Sequence, residues 1–197
     1  MQKIIVFYGS KGSGKDTCCK MVRELSGNRL IHLSFAEKLR KVVWELFGDK
    51  IKDKHKIWGA IEEKESPIEG WEIPSSLGYP EKYWTGRRLL QWFGTDICRN
   101  IYGEIWVNAL IKQIHEKIPG PYDICITDCR FLNEYEALRK IKNTIFVKVV
   151  RELGSNEFST HASEKDLPLF KEDIVVNNTS TLEDLKKELE KHKKLWK

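Results

Sequence analysis

Seven residues near the start of the chain, Gly9-Ser10-Lys11-Gly12-Ser13-Gly14-Lys15, limit its fold more than anything else in it. They match G-x-x-x-x-G-K, and they sit in the context that motif needs. The loop follows an apolar, β-branched run, Lys3 to Tyr8, that reads as a buried strand, and it precedes helical spacing from Lys15 to Leu25. Glycines at these places let successive backbone N–H groups turn inward around a phosphate, and the helix start adds partial positive charge. Lys15 then reaches the β- and γ-phosphates as a point charge. A glycine-rich turn that merely reverses the chain is the plain alternative, and the strand and helix on either side argue against it.

One position departs from the motif. Where a Ser or Thr hydroxyl would meet Mg²⁺, this chain has Asp16, followed by Thr17. A carboxylate is still a hard oxygen ligand, directly or through a metal-bound water. Thr17 is placed to hydrogen-bond the α-phosphate.

The rest of the chain alternates strand and helix patterns. Short strands are expected at Leu30 to Phe35, Asp123 to Thr127, Thr144 to Val150 and Asp173 to Val176. Helices are expected from Ala36 to Phe47 (stopped by Gly48), from Thr85 as N-cap to Asn100, from Glu104 to Lys117, from Phe131 to Ile141 and from Thr181 onward. Strands alternating with helices mean an α/β domain with a mostly parallel sheet. Residues 49–84 lose periodicity, hold Pro67, Pro74 and Pro80, and carry six lysines against eight acids. They read as an inserted arm within a single 1–197 domain. Residues 151–165 read as a polar loop.

Composition excludes several classes. The formal charge of +5 is mild and scattered, which suits a small anionic ligand and not a nucleic acid. The early apolar run is far short of the roughly 20 residues that cross a bilayer. Five cysteines without a Cys-x-x-Cys pair make zinc or disulfide scaffolding unexpected and fit a reducing cytosolic setting.

GSKGSGKDT, SFAEKLR, RRLLQWFGTDICR, ITDCRF, HASE with LP after it, and VVNN with LEDL after it, taken in this order, resemble the deoxynucleoside monophosphate kinases of phages and large DNA viruses. The Asp after the loop lysine is usual in that family. The resemblance implies the P-loop nucleotide-kinase fold: a central parallel sheet of about five strands with helices on both faces, an acceptor-side arm and a lid at 151–165. It implies Mg²⁺-dependent transfer of the γ-phosphoryl of ATP to the 5′-phosphate of a deoxynucleotide, in the cytoplasm (the host's, for a viral protein), with small nucleotides as partners. A homodimer stays open.

The resemblance also distributes roles. Gly9, Lys11, Gly12, Ser13, Gly14, Lys15, Asp16 and Thr17 hold ATP, with Asn177 near the adenine. Arg87, Arg88, Gln91, Gly94 and Thr95 line the monophosphate site, and Phe35, Lys38 and Trp106 join them on the acceptor side. Arginine offers a planar fork for phosphate, and Gln91 a donor and an acceptor for a base edge. Asp128 and Arg130 stand where a strand runs out, at the edge where open parallel sheets bind ligands. Asp128 suits an Mg²⁺-bound water, Arg130 a phosphate clamp, Glu134 an arginine or the sugar, and Arg151 the γ-phosphate. Core packing for Trp106 and a local surface pair for Glu134 are the competing readings. The 49–84 arm is expected to build the base pocket. Rival functions are another small-molecule kinase of this fold, of the dephospho-coenzyme A or phosphomevalonate type, and a non-enzymatic ATP switch. The first has no reason to carry RRLLQWFGT, and the low net charge speaks against a nucleic-acid-binding form of the second.

Overall fold

Strand β1 (Ile4–Tyr8) is buried along its whole length, as its unbroken apolar run demands. The computed structural model describes residues 2–151 and 167–197. After β1 come α1 (Lys15–Leu25), β2 (Leu30–Leu33), α2 (Phe35–Ile51), α3 (His55–Trp58) and α4 (Ile61–Glu65). Next are β3 (Pro67–Glu72), β4 (Tyr83–Thr85), α5 (Gly86–Gln91) and a π-helical stretch (Trp92–Arg99). The chain continues through α6 (Ile105–Lys117), β5 (Asp123–Ile126), α7 (Leu132–Arg139), β6 (Thr144–Val150), β7 (Ile174–Asn177) and α8 (Leu182–Lys191).

Five strands form one parallel sheet in the order β2-β5-β1-β6-β7, flanked by helices. This is the α/β architecture that the sequence predicts. Because β1 lies between β5 and β6, the loop after it opens at the carboxyl edge where the strand order reverses, the usual ligand site of such sheets.

The residues fall into two compact units, Met1–Phe35 with Ala109–Lys197, and Ala36–Asn108. The first holds the parallel sheet and a core of Ile5, Phe7, Val22, Leu30, Val147, Val176 and Leu185. Cys19 of α1 and Cys125 of β5 face each other in this core, their Cα atoms 6.4 Å apart. Among the described residues, no helix is long and apolar enough to cross a membrane.

The second unit has its own core of Val43, Ile51, Ile57, Ile68, Trp84 and Leu89, ringed by Trp44, Phe47, Trp71, Trp92 and Phe93. Two expectations change here. Helix α2 runs through Gly48 to Ile51, because Val43, Phe47 and Ile51 continue one apolar face at four-residue spacing. Lys52, at φ 60, ends it. The 49–84 stretch is not irregular: it folds as α3, α4 and the β3–β4 hairpin, lying within this unit. Gly86 starts α5 against the Lys56 carbonyl, 1.6 Å from where a Cβ would stand, so only glycine fits. The helix expected from Thr85 does begin there, with Thr85 Oγ1 accepting the Arg88 N–H at 3.1 Å, but it widens to π pitch at Trp92. Apart from Arg151, the expected lid lies outside the described residues.

Candidate active site

The loop between β1 and α1 has Gly9, Gly12 and Gly14 at φ 148, 77 and 97, conformations that side chains disfavour. At Gly9 a Cβ would stand 2.4 Å from the Val149 carbonyl oxygen, and at Gly14 2.5 Å from Asn178 Nδ2. The loop is thus pressed against the ends of β6 and β7. Asn178, buried beyond β7, donates from Nδ2 to the Ser13 carbonyl at 2.9 Å and so braces the turn. Asn177, the predicted adenine neighbour, is the exposed last residue of β7.

Lys15 opens α1 and folds its ammonium back over the loop. Its Nζ donates to the carbonyls of Gly9 (2.9 Å) and Ser10 (2.7 Å) and lies 3.4 Å from Ser13 Oγ. Arg151, after β6, reaches the same loop: its Nη1 is 3.5 Å from the Gly12 carbonyl oxygen. Ser13 is fully buried, Thr17 half-buried and Lys11 exposed.

Asp16 is exposed, and its Oδ1 accepts the Thr127 hydroxyl at 2.5 Å. Thr127 directly follows β5, and its Oγ1 is 3.0 Å from His32 Nε2 in β2. A threonine hydroxyl carries one proton. With that proton on Asp16, Oγ1 accepts, and His32 must carry a proton on Nε2. Neither Thr127 nor His32 stands out in the sequence; the one available signal is a polar residue closing an apolar strand, ahead of Asp128.

Asp128 spends its carboxylate on the β2–α2 junction, accepting from Ser34 Oγ at 2.6 Å and from the Phe35 N–H at 3.0 Å. Phe35 itself is buried. Glu134 is 1% exposed, and its Oε2 accepts the N–H groups of Arg130 (2.8 Å) and Phe131 (3.2 Å) at the start of α7. Its place is therefore inside the turn, not on the surface. Arg130 is exposed beside it. Between the two carboxylates Cys129 is buried, and burial first, then the charges of Glu134 and Asp128, push its thiol well above the ordinary range.

Among the described residues of the first unit, one carboxylate beside the loop suits a divalent cation. Among the described residues no group of three or more His, Cys, Asp or Glu is arranged to hold a metal. Asp16 offers an oriented, exposed hard-oxygen donor next to the loop, which matches Mg²⁺ held by one carboxylate, phosphates and water.

In the second unit Arg87 Nε lies 3.2 Å from Glu65 Oε1, and Arg88 pairs with Glu81 while lying over the Tyr79 ring. Gly94 is buried, with Leu39 Cδ2 2.5 Å from where its Cβ would be. Trp106, 5% exposed, donates from Nε1 to the Gly94 carbonyl at 2.9 Å, so its indole is part of the packing. Gln91 and Thr95 are half-buried, and Lys38 is exposed. Tyr79 and Glu81 lie in the aperiodic arm, where no local pattern marks them.

The family described as deoxynucleotide monophosphate kinase matches this chain over residues 72–189, a stretch that begins after the phosphate loop. The deoxynucleotide monophosphate kinase of Escherichia phage RB69 is 33% identical over 110 residues, 55% of this chain and 44% of that protein. The protein of the same name from Enterobacteria phage T4 is 33% identical over 116 residues, 58% of this chain and 47% of that one. The chain spans about half the length of these curated relatives. Among solved structures, a dephospho-CoA kinase from Campylobacter jejuni superposes with a TM-score of 0.52 at 14% identity, covering 98% of this chain and 97% of that one. That likeness bears on the fold alone.

Proposed function

Since this chain belongs to the deoxynucleotide monophosphate kinase family, we propose that it transfers the γ-phosphoryl of ATP to a deoxynucleoside 5′-monophosphate, yielding the diphosphate and ADP. The observation that carries this reading is the loop at the carboxyl edge of the sheet, with the Lys15 ammonium and the Arg151 guanidinium on its carbonyls. Cations gathered on a glycine loop serve a polyphosphate.

In this reading Lys15 leaves the Gly9 and Ser10 carbonyls for the β- and γ-phosphates, while the backbone of Gly12 to Gly14 and Thr17 hold the rest of the chain of phosphates. Mg²⁺, when bound with ATP, offsets charge on the phosphates, and Asp16, fixed by Thr127, is the residue that would hold it. Asp128 holds the β2–α2 junction and meets the ion only through water. Arg130 and Arg151 stabilise the transferring phosphoryl, whose charge spreads over its equatorial oxygens. Arg87, Arg88, Gln91 and Thr95 bind the acceptor, and Lys38 is a further cation of the second unit. Gly94 and Trp106 brace that unit's packing, and Phe35 and Glu134 brace the β2–α2 junction and the start of α7 in the first. The acceptor phosphate is already an anion at neutral pH, so this chemistry needs alignment and charge neutralisation more than a general base.

The test is ADP release, coupled to an indicator reaction, with dTMP, dGMP, dCMP and dAMP in turn. At least one should stimulate release strongly, and Arg130→Ala should lower that turnover about a hundredfold or more, the scale of lost transition-state charge stabilisation. ATP binding with no stimulation by any of the four would exclude the kinase reading. A near-normal Arg130→Ala rate would place the clamp elsewhere.

A further inference from the structure

The residues between β3 and β4 return to the start of α5, and there they fix one arginine from two sides. Arg88 Nη2 donates to Glu81, and the guanidinium carbon lies 4.7 Å from the centre of the Tyr79 ring. Arg88 Nε is buried and has no hydrogen-bond partner among the described residues. The guanidinium is therefore held flat by the ring and along one edge by the carboxylate.

Tyr79 is anchored in its turn. Its hydroxyl donates to Asp96 Oδ2 at 2.5 Å, and its ring meets Trp84, 3% exposed, edge-on at 6.3 Å between centroids. The Asp96 hydrogen bond first, then burial, holds the Tyr79 hydroxyl above its ordinary range. Asp96 belongs to the π-helical stretch that follows α5. Tyr79 thus bridges the core, the π-helical stretch and the arginine. An arginine with its plane already set loses less rotamer freedom on meeting a phosphate, and its fork is aligned for two-point contact.

We propose that Tyr79, aided by Glu81, is a positioning residue for Arg88, so that this part of the 49–84 arm serves the acceptor's 5′-phosphate and not its base. The inference rests on Arg88 being a phosphate ligand, as the proposed function has it. It replaces the expectation that the arm builds a base pocket with a role common to every acceptor.

The test compares Tyr79→Leu, which removes ring and hydroxyl, with Tyr79→Phe, which keeps the ring. The readouts are kcat, KM for the preferred deoxynucleotide, KM for ATP, and the inhibition constant of 2-deoxyribose 5-phosphate, which has the phosphate and sugar without a base. Tyr79→Leu should raise the acceptor KM and that inhibition constant by the same factor, about two- to fivefold, the scale of an exposed cation–π contact. KM for ATP should not move, and Tyr79→Phe should recover most of the loss. A raised KM with an unchanged inhibition constant would mean that the arm reads the base, and an unchanged KM would mean that Tyr79 does not position Arg88. Losses spread over all constants, with a lowered Tm, would reduce Tyr79 to packing. Failure of the underlying reading shows separately: Arg88→Ala would then leave both acceptor constants at wild-type values.

Discussion

Thr127 shows how much a single hydroxyl can decide. It directs its one proton at Asp16 across 2.5 Å and receives another from His32 Nε2, so the carboxylate beside the phosphate loop has a fixed orientation. With Asp16 exposed, a bond of this kind contributes about 0.5–1.5 kcal/mol. Thr127→Val keeps the shape and removes the donor. It should raise the Mg²⁺ concentration for half-maximal activity about three- to tenfold, and weaken Mg²⁺ binding in the presence of a non-hydrolysable ATP analogue, whereas Thr127→Ser should remain close to wild type. Equal Mg²⁺ titrations for the three proteins would detach Thr127 from the ion. At this scale the sequence is legible where spacing is local. Lys15 and Asp16 stand in a motif whose neighbours are adjacent in the chain. Thr127, His32 and Asn178 act across 111, 95 and 165 residues, and no local pattern announces such pairs.

Asp173 sets the limits of an element. Just before β7, its Oδ2 accepts both the Phe146 N–H of β6 (2.8 Å) and Arg139 Nη1 of α7 (2.6 Å), tying two strands and a helix at one point. Burial alone would raise its pKa, but the Phe146 N–H and the Arg139 guanidinium together hold it below the usual carboxylate value. A depressed folded-state pKa contributes stability that is complete above the unfolded value, near pH 4, and is lost as pH falls through the folded value. Asp173→Asn should therefore lower Tm at pH 7, and its difference from wild type should shrink between about pH 5 and pH 2. Parallel Tm curves over that range would show that the charge does not fasten β7. Elements long enough to display a period, β1, α1 and β6, were readable almost to the residue. The arm was not, because α3 and α4 span four and five residues, too few for a helical repeat. What holds them is burial of Ile57, Ile68 and Trp84, and the approach of the Lys56 carbonyl to Gly86, both of which depend on the folded unit.

At the scale of the molecule, the net charge of +5 matters less than where particular cations stand. Lys15 and Arg151 lie on the phosphate loop of the sheet-bearing unit, and Arg87 and Arg88 lie among the carboxylates of the other. The division of the residues into two units follows from two separate apolar cores, which hydropathy along the chain does not separate because Val43 and Ile51 resemble Val22 and Leu30 in everything except their neighbours. The family match covers residues 72–189, and the phosphate loop precedes it, so the kinase reading joins two independent stretches of the chain. The most direct test follows the phosphoryl group itself, using ATP labelled in the γ-phosphate with the full chain and each deoxynucleoside monophosphate. The label is predicted to appear in the β-phosphate of a deoxynucleoside diphosphate, in step with ADP, and to vanish from it with Lys15→Ala. Label recovered only as ATP or orthophosphate, whichever deoxynucleotide is present, would contradict the account.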